Sequence, residues 1–429
     1  MPTSRRSFLR IAGSGLSALP FGHAFGTAAE TRNPNGRKRL AVVTTLWKYG
    51  THAWHMAERF LVGYPRNGVW HRPPFNVVAA YVDQRPEGDL SGRRAEEFGF
   101  QVYPSVAEAL RCGGKSLAVD AVLLIGEHGD YPLNEFGQKQ YPRYQLFQQI
   151  VDVFRRDGRT TPVFNDKHLS WNFAWAKEMV DTARRMNFPL SAGSSLPVTW
   201  RMPAIDLPLG APAEEALCLA FGSTDVYDFH ALEALQCFVE RRRGGETGMA
   251  AVQALRGDAV WRMLETQGWA AGGLDGDLFD ACLARSHTLR QPESFSHRLP
   301  TLAEMRTWVT DPIAYRLEYR DGLRATMLLM NGLVQDFTVA LRVESQPQPL
   351  STMLHLPPNP NVAYSAPLMA HAETMFVTGR ASYPVERTLL TSGLVQACLQ
   401  SLAGDGERRT TPHLDIRYEP ARESTFSRV

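Results

Sequence analysis

The chain has little that would commit it to a special environment. Its five cysteines are odd in number and form no C-x-x-C pair. Four fall in apolar runs, where an unpaired thiol behaves as a small core residue, so no disulfide framework is expected. Net charge is only +2, from 46 basic and 44 acidic residues. A nucleic-acid partner needs a clustered basic face, and Arg241-Arg242-Arg243, balanced by Glu240 and Glu246, reads as a solvated helix end. No internal repeat is present, and no helix-borne H-E-x-x-H or Cys pair announces a metal. No G-x-S-x-G surrounds Ser194-Ser195. Apart from the N-terminal segment, no run is long and apolar enough to span a bilayer. What is there is a 429-residue chain, 44% hydrophobic, long enough for two domains with a core each.

The N-terminus carries Ser4-Arg5-Arg6-Ser7-Phe8-Leu9-Arg10, a weakly apolar stretch to Phe21, and small residues through Ala24, Gly26, Ala28 and Ala29. This is the layout of a cleavable twin-arginine signal over residues 1–29, followed by a polar linker over 30–38. The expectation is a periplasmic or otherwise exported protein with no membrane attachment after cleavage.

From residue 39 strands and helices alternate. Leu40–Thr44 reads as a strand, Ala53–Leu61 as a helix and Val77–Asp83 as a second strand. Val119–Gly126 and Thr161–Asp166 are apolar runs that are continuous rather than alternating, the pattern of interior strands in a parallel sheet. Between them, Leu146, Phe147, Ile150, Val151 and Phe154 have helical spacing. A strand–helix–strand unit brings both strand ends to one sheet edge, where open α/β sheets hold ligands. Glu127, His128, Asp130, Asp166, Lys167 and His168 should therefore share one crevice. Residues 39–200 read as a Rossmann-like, doubly wound α/β domain. Residues 201–420 read as an α+β domain with an open, mostly antiparallel sheet, and 421–429 as a tail. Asp321-Gly322 and Asn331-Gly332 separate strand runs and signal hairpins. An uncovered apolar sheet face must be buried, which favours a homodimer or homotetramer.

This order of parts resembles the Gfo/Idh/MocA family of oxidoreductases. Val163-Phe164-Asn165-Asp166-Lys167-His168-Leu169 is similar to the family's Val-Phe-Val-Glu-Lys-Pro-Leu. Asp228-Phe229-His230-Ala231-Leu232-Glu233 is similar to its Gly-x-His-x-x-Asp, although Val226 stands where a carboxylate is expected. The resemblance implies NAD or NADP as cofactor and a sugar, polyol or related carbohydrate as substrate. It makes Lys167 and His230 the acid/base residues. Thr45, Trp47, Gly50 and Asp83, joined by Glu127, His128 and Asp166, take the cofactor positions. Asp130, Arg143, His168, Asp228 and Glu233 take the substrate side, with Arg143 able to pair a carboxylate bidentately.

The glycine-rich turn is where the chain departs from the pattern. Thr45 and Trp47 occupy the first two glycine positions, and an indole at the second would lie where the phosphates go. Two other readings therefore stand beside the oxidoreductase. In one, Glu127, His128, Asp130, Asp166 and His168 hold a divalent metal for a lyase, epimerase or hydrolase reaction on a carbohydrate. In the other, the crevice binds a carbohydrate without catalysis. His52 and His55, beside Trp54 on the first helix, read equally well as surface or packing residues. Tyr131-Pro132 and Tyr141-Pro142 mark an aromatic loop of the kind that stacks on pyranose rings.

Overall fold

The structure is a computed structural model that describes residues 36–293, 297–357 and 361–428; the expected signal segment lies outside them. The first half runs β1 (Lys38–Leu46), a π-helical turn (Ala53–Ala57) continuing into α1 (Glu58–Val62), β2 (Tyr64–Arg66), β3 (Val69–His71), β4 (Phe75–Gln84), α2 (Ser91–Phe98), β5 (Gln101–Tyr103), α3 (Val106–Arg111), β6 (Ala121–Ile125), α4 (Arg143–Asp157), β7 (Val163–Asp166), α5 (Phe173–Arg185) and β8 (Leu190–Gly193). The second runs β9 (Trp200–Met202), β10 (Ala213–Ala220), α6 (Tyr227–Val239), β11 (Met249–Arg256), α7 (Asp258–Glu265), α8 (Gly276–Arg285), α9 (Leu302–Trp308), β12 (Ile313–Tyr319), β13 (Arg324–Leu329), β14 (Phe337–Val343), β15 (Leu350–His355), α10 (Ser365–Thr378), α11 (Glu386–Ala403) and β16 (Arg409–Thr410).

The first sheet has the order β5-β4-β1-β6-β7-β8, and every pairing in it is parallel. The apolar continuity of β1, β6 and β7 follows from this placement. Helices cover both faces, so consecutive residues such as Ala121 to Ile125 are all buried. The strand order reverses direction between β1 and β6, and that switch point opens the crevice at the C-terminal edge of the sheet.

The second sheet runs β16-β11-β12-β13-β10-β14-β15-β9. It is antiparallel except where β10 pairs parallel with β13. Asp321-Gly322 does join a hairpin, β12 to β13. Asn331-Gly332 does not, because β10 lies between β13 and β14 and pairs with both. Period-2 alternation on β10 sends Ala216, Cys218 and Ala220 to the core against α6 and α11. Leu217 and Leu219 face the opposite way, against Val260, Trp261, Leu278, Phe279 and Met305 of α7, α8 and α9. The sheet face expected to need a partner subunit is thus covered by the chain's own helices.

Two C-terminal helices bind the layers together. Leu368, Met369, Ala372, Met375 and Phe376 of α10 pack in the core of the first sheet, with Leu40, Val42, Phe75 and Val77. In α11, Leu389 enters the core on the other face of that sheet, while Leu390, Leu394, Val395 and Cys398 enter the core of the second sheet. α11 is buried along most of its length, Thr388, Thr391, Ser392 and Ser401 included. Its charged first turn is matched: Arg387 donates from Nε and Nη2 to Glu240, at 2.8 and 2.5 Å, with both side chains buried. All five cysteines are free.

Removing one member of a buried pair strands the other charge. Arg387→Met is expected to cost about 3–5 kcal/mol in urea unfolding, and adding Glu240→Leu should recover most of that loss.

Candidate active site

The crevice at the switch point is a cavity of about 300 Å³. The turn after β1 supplies Gly50 and His52, the π-helical turn His55 and Met56, and the end of β6 Glu127 and His128. The end of β7 brings Asp166 and Lys167, the end of β8 Gly193, Ser194 and Ser195, and α6 Tyr227 and His230. Phe337, Leu356 and Tyr364 close the side formed by the second half of the chain.

The centre of this arrangement is Glu127, which is buried. Arg143 Nη2 donates to Oε2, and the Lys167 ammonium lies 3.3 Å from Oε1. Burial alone would push the Glu127 carboxyl up, but Lys167 and Arg143 outweigh it and hold the group well below the usual carboxylate range. Arg143 reaches Glu127 because Gly126 has no side chain: a Cβ there would lie 2.5 Å from Arg143 Cγ. Arg143 Nη1 also donates to His168 Nε2 at 2.9 Å. Lys167 has a left-handed backbone, φ 60°, as does His128, φ 70°. Such non-glycine residues cost on the order of 1–3 kcal/mol each and concentrate at functional sites. The Lys167 N–H donates to the Gly193 carbonyl at 3.2 Å, which ties the strained turn to β8.

Two further pairs line the cavity. His52 Nδ1 lies 2.6 Å from Asp166 Oδ2. Ser194 Oγ lies 2.6 Å from His230 Nδ1. Burial lowers the pKa of His230 well below the usual imidazole value, reinforced by the Lys167 charge. Burial likewise brings His128 down to about 4.

Several residues expected at the site lie elsewhere. Arg143, expected to meet a substrate carboxylate, is fully buried and spent on Glu127 and His168. His168 is buried beneath the cavity, with its ring against Phe229. Asp228 accepts from Tyr315 Oη and from the Phe229 N–H, and burial raises its carboxyl to about 6. Glu233 accepts from Thr388, Thr391 and the Ser194 N–H. Both are core residues that anchor α6. Asp130 engages Gln84 through its backbone. Among the described residues no group of three or more His, Cys, Asp or Glu side chains is arranged to hold a metal. His52 and Ser194 were missed because a helix-borne histidine and a Ser-Ser pair have no motif. Their position directly after β1 and β8, at the same sheet edge as Lys167, was the available signal.

No family model matches the sequence, and no curated protein matches it. Solved structures do match in shape. GenD2 of gentamicin A biosynthesis, solved in complex with NAD, superposes over 90% of this chain and 99% of its own, with TM-score 0.54 and 13% identity. Apo scyllo-inositol dehydrogenase from Lactobacillus casei covers 88% and 98%, with TM-score 0.52 and 9% identity. A myo-inositol dehydrogenase from Corynebacterium glutamicum covers 87% and 98%, with TM-score 0.50 and 14% identity. The chain has the two-domain Gfo/Idh/MocA fold. At these identities the likeness is one of architecture, and function has to be argued from the site.

In a Rossmann-type fold the dinucleotide lies across the switch point, its pyrophosphate on the turn after the first strand and its ribose on an acidic strand end. Here several side chains near those positions are engaged within the chain. Thr45 Oγ1 donates to the Glu127 carbonyl at 2.7 Å. Trp47, rather than projecting over the turn, is fully buried; it stacks on Phe100 and donates from Nε1 to Glu58. The Trp47 carbonyl accepts from the Leu90 N–H at 2.8 Å. Asp83 receives the hydroxyls of Tyr81 and Tyr131. Gln84 makes two bonds to the Asp130 backbone, at 2.9 and 2.8 Å, and so docks the β6–α4 loop over the end of β4. Asp83 is exposed and a carboxylate accepts more than two hydrogen bonds, so what stands against a dinucleotide in its ordinary place is the docked β6–α4 loop.

Burial lowers the pKa of His55, His168 and His230. The unfolded chain therefore binds more protons than the folded one below about pH 6.5. Stability from these groups is complete above that pH and falls as pH is lowered. His168→Gln keeps an acceptor for Arg143, and its urea midpoint should fall less steeply between about pH 7 and pH 5 than that of the wild type.

Proposed function

We propose that the protein is an enzyme acting on a sugar, polyol or related carbohydrate in this crevice, with Lys167 and His230 meeting the reacting oxygen. The observation that carries the reading is their convergence: Lys167 from the parallel sheet and His230 from α6 line one cavity whose other polar groups are His52, Asp166, Glu127 and Ser194. About 300 Å³ is at the small end of ligand sites and suits a monosaccharide. Closely spaced donors and acceptors match a chain of hydroxyls. His230, kept neutral by burial and the Lys167 charge, donates a hydrogen bond. Lys167 supplies a fixed positive charge where oxygen develops negative charge.

An NAD(P)-dependent oxidoreductase of a sugar or polyol is the second reading. It is favoured by the fold shared with GenD2 and the inositol dehydrogenases and by the place of Lys167 at the end of β7. Nicotinamide would supply the hydride acceptor, and the docked β6–α4 loop would have to give way to it. Export through the twin-arginine route belongs to either reading, since that route carries folded proteins.

Calorimetric titration of the protein with a panel of hexoses, pentoses and inositols should find at least one ligand. His230→Ala and Lys167→Met should each weaken it about tenfold or more, the loss of a charged or buried hydrogen bond, with the cooperative fold retained. No binding by any member would overturn the carbohydrate reading. Sugar-dependent reduction of added NAD+ would favour the second reading over the first.

A further inference from the structure

The two histidines of the crevice are held by opposite kinds of partner, and this fixes what each can do. The partner of His52 Nδ1 is the carboxylate of Asp166, at 2.6 Å. A carboxylate accepts, so Nδ1 carries the proton and Nε2 keeps its lone pair. The Asp166 side chain is fully buried and that of His52 nearly so, at 0% and 16% exposure. The rings of His55 and His128 meet the His52 imidazole at centroid distances of 4.8 and 5.0 Å, so its orientation is fixed from both sides. The other Asp166 oxygen, Oδ1, is buried, has no hydrogen-bond partner among the described residues and belongs to a residue that lines the cavity.

His230 is the mirror case. Ser194 Oγ accepts from the Leu196 N–H at 3.1 Å and lies 2.6 Å from His230 Nδ1. The oxygen keeps its own proton and a second lone pair, so it can donate that proton to Nδ1. Nδ1 is then the acceptor, and Nε2 carries the hydrogen. In that tautomer the cavity presents a bare imidazole nitrogen at His52, an imidazole N–H at His230 and an ammonium at Lys167.

We propose that His52, positioned by Asp166, is the general base of the crevice, and that with His230 as neutral donor it selects an α-hydroxycarbonyl substrate such as an open-chain aldose or ketose. The proposal rests on the carbohydrate reading of the site and names its substrate class. In the step, His52 Nε2 takes the proton from the hydroxyl-bearing carbon next to the carbonyl. The C–H electron pair forms the new C=C bond, and the carbonyl π pair moves onto oxygen, which His230 Nε2–H and the Lys167 charge stabilise as an enediolate. Return of the proton to the same carbon restores the sugar; return to the neighbouring carbon, with the hydroxyl proton moving to the first oxygen, gives the aldose–ketose isomer. No oxidant or reductant is consumed. Asp166 is a positioning residue: it holds the tautomer of His52 and stabilises the imidazolium that forms.

The test has two arms on the whole protein. In the first, ¹⁵N-histidine NMR, assigned with His52→Asn and His230→Asn, should show His52 with an unprotonated Nε2 and His230 with a protonated one. The reverse pattern at either ring overturns the proposal. In the second, a panel of aldoses and ketoses is incubated with the protein in D₂O, and deuterium at the carbon next to the carbonyl is read by mass and NMR. At least one member should exchange. His52→Asn should abolish that exchange. Asp166→Asn, which permits the wrong tautomer, should lower it on the order of 10³-fold or more and displace its pH profile. Sugar binding without exchange would overturn His52 as the base while leaving the carbohydrate reading intact. Neither binding nor exchange would overturn both.

Discussion

Everything at the crevice depends on one buried charge, the carboxylate of Glu127. A lone carboxylate at that depth would cost several kcal/mol, and it is tolerated because Arg143 and Lys167 bind its two oxygens. Those contacts join the end of β6, the first residue of α4 and the end of β7. They also account for the backbone of Lys167: only a turn in the left-handed region swings its side chain back to Glu127 while its N–H is held by Gly193. The strain and the ion cluster are thus two sides of one constraint, and the open part of the cavity is what that constraint leaves free.

Beside this cluster the chain makes further contacts at the same sheet edge. In the turn after β1, Gly50 lines the cavity while two side chains are engaged within the protein. Thr45 is stitched to the Glu127 carbonyl, and Trp47 has turned inward to pack on Phe100. Beyond it, Gln84 and Asp83 hold the β6–α4 loop across the edge where a ribose would rest. The architecture survives because its stability comes from β1, β6, β7 and the two C-terminal helices, none of which requires a glycine-rich turn. The part of the crevice between Lys167 and His230 is open.

Much of the fold was legible because burial on both faces writes itself as continuous apolar runs at β1, β6 and β7, and a single strand–helix–strand unit then places Glu127, Asp166 and Lys167 together. Pairing was less legible. Asn331-Gly332 looks like a hairpin turn in sequence, but the insertion of β10 between β13 and β14 is a long-range choice with no local signal. The small β2–β3 hairpin, turning on Asn67-Gly68 with both residues at positive φ, carried a signal that was not read. Arg143 was misplaced because a guanidinium after a loop looks available until the carboxylate that neutralises it, sixteen positions earlier in the chain, is seen in space. His52 was undervalued because its partner Asp166 is more than a hundred positions away, and no periodicity reports such a distance.

Whether a dinucleotide still enters past Gln84 and Tyr131 decides between proton and hydride chemistry in this crevice. The most direct measurement is equilibrium binding of NADH and NADPH to the folded protein, followed by nicotinamide fluorescence, with Tyr131→Ala and Gln84→Ala alongside. No saturable binding to the wild type up to millimolar cofactor is the predicted result. Micromolar binding by the wild type, or stoichiometric dinucleotide released when the purified protein is denatured, would contradict it and return the crevice to hydride chemistry.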